Sequence, residues 1–189
     1  MNKKKIIKND EIIFSLGSNT GDRIAYLRTA VRKLSQRVKI HKVSSLYSTA
    51  PVDYTDQPFF LNLCAAGTSA LDPMTILLLA KDIEKSLGRN QDGVSGMVVP
   101  PKGPRTIDID IIMYGMRLVD TEELQIPHPA WSRRKFVLLP LKEILPGFTD
   151  PFSRKNIDFF LKDLSVKNQD VSKCSEGISF LCEFDDEKR

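Results

Sequence analysis

The stretch Gly103-Pro-Arg-Thr-Ile-Asp-Ile-Asp-Ile-Ile112 decides how the rest of the chain is interpreted. Its apolar alternation predicts a β-strand in which Asp108 and Asp110 project from one face and Ile107, Ile109 and Ile111 from the other. Cα atoms at this spacing stand roughly 6.5–7 Å apart, so the two carboxylates can converge on one Mg²⁺ or on a close pair. Arg105 precedes them and is expected to share their face. Hard oxygen ligands beside a fixed cation suit a nucleotide polyphosphate that carries magnesium.

The composition predicts one well-buried domain. With 189 residues, of which 41% are apolar, the chain is long enough for a core and short for two domains. A net charge of +4 fits small anionic substrates, and it is not gathered into the stripe that nucleic acid requires. Because no apolar run approaches about 18 residues, we expect no membrane span. The three scattered cysteines form neither a disulfide framework nor a zinc pattern, which favours a cytoplasmic location.

Strands and helices are predicted to alternate around the Asp-rich strand. In order, they are a strand over 12–16, a helix with apolar positions from Leu27 to Val38, strands over 42–48 and 59–70, a helix that begins at Asp72–Pro73 and ends near Gly88, and the strand that contains Asp108. This order is the βαββαβ arrangement of a ferredoxin-like α+β sandwich.

Extra C-terminal elements follow the sandwich. We predict a helix over 133–144 with a kink or break at Pro140, and a short amphipathic helix over 156–164. The domain organisation is predicted as a flexible N-terminal extension over 1–10, a single domain over 11–165 and a polar C-terminal tail over 166–189.

A long loop rich in Gly and Pro joins Arg89 to Arg105. Loops of this length are usually functional or disordered. Because this loop leads into the Asp-rich strand, our hypothesis is that it is an active-site lid, in which Lys102 supplies part of the positive charge.

Several short motifs occur in a fixed order along the chain. They are Gly17-Ser-Asn19, Ser45-Leu-Tyr-Ser-Thr-Ala-Pro51, Asp56-Gln-Pro58 followed by Leu61-Asn62, Ile83-Glu84 with Gly88-Arg89, the stretch Gly103–Asp110, Pro127-His128, and Arg134 with Phe136. Each motif is weak alone, but together they are specific. In them the sequence resembles the 6-hydroxymethyl-7,8-dihydropterin pyrophosphokinase family over residues 12 to about 151.

The resemblance implies an ATP-dependent diphosphotransferase of folate biosynthesis. Its substrates would be ATP and 6-hydroxymethyl-7,8-dihydropterin, its products the pterin diphosphate and AMP, and its cofactor two Mg²⁺ ions. The protein is expected to act as a monomer or weak homodimer. By resemblance, the catalytic residues are Arg89, Arg105, Asp108 and Asp110, with Asp108 and Asp110 as the metal ligands. Arginine suits phosphate because its planar fork binds two oxygens at once.

The substrate contacts are also carried over from the resemblance. Those for ATP are Glu84, Arg89, Arg105, Ile111, His128 and Arg134. Those for the pterin are Thr49, Val52, Phe60, Asn62, Asp108 and Phe136. An aromatic pair would sandwich the flat ring, while the Asn62 amide would read its hydrogen-bonding edge.

Each of these assignments has an alternative in which the residue serves structure or solubility and binds no ligand. The aspartates can be a solvated strand face, although Asp is depleted in strands. A lone arginine can serve solubility. An aromatic side chain more often belongs to the core than to a binding site. A ferredoxin-like module that binds RNA would need exposed aromatics among basic residues, whereas the predicted central strands carry acidic ones. A two-metal phosphoesterase would need more carboxylate or His ligands, and the chain has two His.

Overall fold

One antiparallel sheet organises the part of the chain that this computed structural model describes, which is residues 7–51, 56–89, 103–164 and 170–174. The strands are β1 (Glu11–Ser18), β2 (Lys39–Val43), β3 (Tyr47–Thr49), β4 (Phe60–Thr68), β5 (Asp108–Tyr114), β6 (Val119–Asp120), β7 (Gln125–Ile126) and β8 (Val171–Lys173). The helices are α1 (Arg23–Ser35), α2 (Pro73–Ser86), α3 (Lys135–Ile144) and α4 (Ile157–Leu164).

The order of strands in the sheet is β5-β1-β4-β3-β8, and β2 also pairs with β4. Since β2 and β3 are successive halves of one strand along β4, the chain follows the predicted βαββαβ order, and the ferredoxin-like α+β fold is confirmed. β6 and β7 form a separate two-stranded sheet.

The strand predicted over 42–48 is interrupted. Its ladder breaks at Ser44, whose hydroxyl accepts the Cys64 N–H at 2.9 Å and donates to the Ser45 carbonyl at 2.8 Å. A side chain therefore replaces one backbone acceptor of the ladder, which hydropathy alternation cannot reveal.

Helices cover both faces of the sheet. On one face α1 and α2 bury a core with Phe14, Leu16 and Leu63; on the other, α3, α4 and Trp131 pack over Ile13 and Cys64. The second layer covers only part of its face, and the uncovered part forms the floor of a cleft.

The predicted helix signals are confirmed in part. The Asp72 carboxylate caps α2 by accepting the N–H groups of Met74 and Thr75, with Pro73 in the first turn. We predicted a kink or a break at Pro140; the break is wrong, because α3 continues through this residue. The missing N–H costs one intrahelical bond in the middle of α3, and the buried apolar face of the helix compensates for that loss.

Two predicted chain ends contribute to the folded structure. Ile7 falls in the predicted N-terminal extension, yet it is 4% exposed and belongs to the core under α3 and α4. Residues 171–173 fall in the predicted tail but form β8, which pairs with β3. Across the described ranges, the helices fall short of the length and apolarity that crossing a bilayer requires.

Candidate active site

A cleft of about 290 Å³ opens on the sheet face that α3 leaves uncovered. Eight of the predicted site residues lie around it, namely Thr49, Phe60, Asn62, Arg105, Asp108, Asp110, Arg134 and Phe136. They come from β3, β4, β5, the approach to β5 and the start of α3. Four separate parts of the chain thus converge, as the sandwich order predicts.

The Asp108 carboxylate is held by two arginines. Arg89 Nη1 donates to Asp108 Oδ1 at 2.6 Å, and Arg105 Nη1 donates to Asp108 Oδ2 at 2.9 Å. Arg89 also donates to Glu84 Oε1, which in turn accepts the backbone N–H of Ile109 at 2.7 Å. Glu84 therefore ties the end of α2 to the free edge of β5 and holds Arg89 in place.

Arg105 contacts Asp108 as expected, but strand alternation is not the reason. It stands three residues before Asp108, so strict strand alternation would point it to the opposite face. Residues 105–107 precede the first residue of β5, and the non-strand backbone there returns the guanidinium to the carboxylate.

Asp110 faces a third arginine. Arg134 Nη1 donates to Asp110 Oδ2 at 3.0 Å, and the Arg134 guanidinium lies 5.6 Å from the centre of the Phe136 ring. His128 Nε2 is 3.9 Å from the same oxygen of Asp110. The Ala130 N–H donates to His128 Nδ1 at 3.1 Å, which leaves Nε2 as the protonated nitrogen of the neutral ring.

Burial governs the protonation of this cluster. It raises the pKa of Asp110 to about 6, with the Asp108 charge acting in the same direction and Arg134 opposing. It raises the pKa of Glu84 to about 7, because Arg89 is shared with Asp108 and offsets burial incompletely. It lowers the pKa of His128 to about 4, together with the charge of Arg134. His128 is therefore neutral at pH 7.

The opposite end of the cleft is polar at its floor and aromatic at its walls. Asn62 is 4% exposed, and its Nδ2 donates to Thr49 Oγ1 at 2.8 Å. Gly17 lies beside it in the register of β1 and β4, and a Cβ on Gly17 would come within 2.7 Å of Asn62 Oδ1. The amide carbonyl thus occupies space that only glycine leaves open. Phe60 and Phe136 are half-buried lining residues.

Asn19 is a site residue that the sequence analysis quoted in a motif without giving it a role. It is 1% exposed, and its Oδ1 accepts the Arg105 N–H at 2.7 Å. Its Nδ2 donates to Gln57 Oε1 at 2.9 Å and to the Pro58 carbonyl at 3.3 Å. Asn19 therefore joins the segment that carries Arg105 to the segment that leads to Phe60. The Gly-Ser-Asn motif was the only available signal.

Four of the predicted substrate contacts stand apart from the cleft lining, namely Glu84, Arg89, Ile111 and His128. The Ile111 side chain is 4% exposed and packs in the core on the opposite face, so only its backbone can meet a ligand. Arg89 reaches the cleft through its bond to Asp108, Glu84 through Arg89, and His128 through its approach to Asp110. Val52 and Lys102 lie outside the described residues, as does most of the predicted lid.

The carboxylate pair suits Mg²⁺ in its donor chemistry. Asp108 and Asp110 offer hard oxygens from side chains that are 27% and 29% exposed, and arginines already balance their charge. Among the described residues, no three His, Cys, Asp or Glu side chains are grouped to hold a metal. Two carboxylates are too few for a closed protein cage, but Mg²⁺ usually takes its remaining ligands from water and substrate phosphates.

The sequence matches the profile of a family described as 7,8-dihydro-6-hydroxymethylpterin-pyrophosphokinase over residues 13–146. The chain belongs to this family.

Members of the family transfer a pyrophosphoryl group to hydroxymethyldihydropterin in folate biosynthesis. The 2-amino-4-hydroxy-6-hydroxymethyldihydropteridine pyrophosphokinase of Bacillus subtilis (strain 168) is 44% identical over 138 residues, which are 72% of this chain and 78% of that protein. The enzyme of the same name from Aquifex aeolicus (strain VF5) is 35% identical over 156 residues, 82% and 93% of the two chains.

Among solved structures, the wild-type HPPK-DHPS protein of Plasmodium falciparum has the same fold, with a TM-score of 0.61 at 17% identity. The match covers 84% of this chain and 45% of that one, so this pyrophosphokinase-family chain corresponds to under half of the longer protein.

Proposed function

We propose that this protein transfers the terminal diphosphate of ATP to the hydroxymethyl group of 6-hydroxymethyl-7,8-dihydropterin and releases AMP. One observation carries the proposal. A single cleft contains two strand-borne carboxylates paired with arginines, together with a buried asparagine amide and two phenylalanines. The first part suits a polyphosphate and the second a flat heterocycle.

The pterin would lie against Asn62. A pterin edge offers donors and acceptors side by side, and a primary amide can pair with both kinds of group. The bond to Thr49 holds the amide orientation before substrate arrives, which lowers the cost of binding. Phe60 and Phe136 would cover the two faces of the ring, and Val52 would add a backbone contact.

The triphosphate would lie against Arg89, Arg105 and Arg134. Two of these arginines hold Asp108 and one holds Asp110, so their charges already surround the place where the phosphates must be bound. Glu84 orients Arg89, while neutral His128 can donate from Nε2 to a phosphate oxygen. The Ile111 contribution would come from its backbone.

Asp108 and Asp110 would hold the two Mg²⁺ ions proposed for the reaction. Bound Mg²⁺ supplies positive charge that offsets the charge developing on phosphate oxygens during transfer. The arginines align the polyphosphate, and the asparagine slot aligns the hydroxymethyl group. Bringing both reactants into one geometry is itself a large part of the rate enhancement.

The nucleotide product distinguishes this reaction from other kinase chemistry. The protein is incubated with ATP, Mg²⁺ and 6-hydroxymethyl-7,8-dihydropterin, and nucleotides are separated by chromatography. We expect AMP, formed only when the pterin is present. ADP as the product would mean single phosphoryl transfer, and nucleotide hydrolysis without pterin would favour the phosphoesterase alternative. A cytoplasmic location and a monomer or weak homodimer stay predictions.

A further inference from the structure

The C-terminal strand β8 lies along the strand that forms one wall of the cleft. It runs antiparallel to β3, and their backbone pairing extends beyond β3 at each end. The Ala50 N–H donates to the Asp170 carbonyl at 3.3 Å, and the Cys174 N–H donates to the Leu46 carbonyl at 2.8 Å. Every residue of β3 therefore has a partner on both sides, β4 within the ferredoxin-like core and β8 outside it.

β3 needs such support because it is short and carries site residues. It has three residues, and its last one, Thr49, accepts the Asn62 amide that faces the cleft. The next residues, Ala50 and Pro51, line the cleft themselves. A three-residue strand at a sheet edge would hold its end weakly, since terminal pairs fray.

Side chains connect β8 to the opposite wall as well. Lys173 Nζ lies 3.3 Å from Glu143 Oε1, on the helix α3 whose first turn bears Phe136. The same carboxylate accepts the Ser45 hydroxyl at 2.7 Å and the Tyr47 hydroxyl at 2.7 Å. Glu143 is thus the residue through which side chains of β3 and β8 contact α3.

The family profile ends at residue 146, whereas β8 begins at Val171. We propose that β8, which lies beyond the residues that the family profile matches, is a positioning element for the pterin half of the cleft. It acts through β3 and α3, and its residues touch neither substrate. The inference rests on the proposed function for its substrate, but the placement of Ala50 and Thr49 by β8 can be tested without turnover.

Ser172 is the residue to change. It lies opposite Ser48, midway between the bonded pairs Ala50–Asp170 and Leu46–Cys174, and antiparallel alternation makes its N–H face β3. Ser172→Pro removes that donor and disrupts the ladder. Ser172→Ala keeps the N–H and is the matched control, because the Ser172 side chain is exposed.

We expect Ser172→Pro to raise the KM for the pterin roughly fivefold, as loss of about one net hydrogen bond would, with the KM for ATP within about twofold of wild type. Hydrogen exchange at the Ala50 amide should become faster in the same variant. Ser172→Ala should match wild type in all three measurements.

A charge reversal gives a second test that leaves the backbone intact. Lys173→Glu places like charges together at Glu143, and Lys173→Arg preserves the attraction; the Lys173 side chain is 55% exposed, so neither change threatens the core. We expect a roughly threefold higher pterin KM in Lys173→Glu alone, a loss of affinity within the range of a single surface charge contact.

Two results would overturn the inference. One is unchanged Ala50 exchange in Ser172→Pro. The other is a rise in both KM values that follows the loss of melting temperature, since that pattern means general destabilisation. A wild-type protein with no pterin-dependent AMP release would instead refute the proposed function, and the exchange measurement would still decide whether β8 holds Ala50.

Discussion

Replacing Gly17 with alanine should damage pterin binding selectively. The added Cβ would lie 2.7 Å from Asn62 Oδ1 and 3.7 Å from Phe60 Cδ1. The first distance is too short for any carbon–oxygen contact, so the amide must move. Asn62 is buried and bonded to Thr49 at 2.8 Å, and a move therefore strains this hydrogen bond, which orients the amide.

The size of the effect follows from that contact. Overpacking a buried site costs about 1–3 kcal/mol, and misorienting the amide forfeits about 1 kcal/mol for each hydrogen bond to the pterin. If about 1–2 kcal/mol appears in binding, the KM for the pterin rises roughly 5- to 30-fold. The KM for ATP should stay unchanged, because the ion pairs of Asp108 and Asp110 do not involve Gly17.

The assay is steady-state release of AMP with each substrate varied in turn, together with thermal unfolding. Gly67→Ala is the matched control: its Cβ would lie 2.8 Å from Val38 Cγ1 and 2.9 Å from the Lys39 carbonyl, and Gly67 lies outside the cleft lining. It should lower the melting temperature without changing the pterin KM. A pterin KM for Gly17→Ala within twofold of wild type would refute the reasoning.

Three further changes test the polyphosphate half of the cleft. Asp110→Ala should lower kcat by roughly 10²-fold or more, as expected when electrostatic stabilisation of a charged transition state is lost, and near wild-type AMP release would exclude Asp110 as a metal ligand. Arg134→Ala should raise the KM for ATP about 10-fold by removing a charge-assisted phosphate contact. Arg133→Ala, at the neighbouring position, should raise this KM less. Equal effects of the two changes would contradict the special role of Arg134. Glu84→Gln should make the melting temperature of the substrate-free protein less dependent on pH between about 4.5 and 7, and parallel curves for the two proteins would contradict the buried carboxylate.

The sign of the Glu84 effect follows from proton binding. The pKa of Glu84 is about 7 in the folded protein against an ordinary 4.5, so between these values the folded state holds a proton that the unfolded chain has released. Stability from this group is full below pH 4.5 and is lost as pH rises through 7. Asp110 acts in the same direction at lower pH, and His128, whose pKa is lowered, acts in the opposite direction. Both contributions are shared by the two proteins and cancel in the difference.

Local pattern predicted much of the fold because local pattern causes it. Alternation from Ile107 to Ile111 separates acidic from apolar side chains, and the confirmed Asp72 cap acts within its own helix. Local pattern was misleading where a distant partner decides the outcome. The Ser44 hydroxyl interrupts a strand because Cys64 is across from it, and Pro140 stays helical because α3 has a sheet to pack on.

The sequence by itself determined the order of elements and the chemical types of the site residues. It places Asp108 and Asp110 on one strand, and it places arginines at both ends of the loop before that strand. Only the tertiary structure decided which arginine holds which carboxylate, that Gly17 makes room for Asn62, and that β8 supports β3 from more than a hundred residues away. The physical reason is the distance along the chain over which each kind of interaction acts. Backbone propensity and side-chain alternation act within a few residues, whereas ion pairs, close approaches and strand addition depend on distances that exist only after the chain has folded.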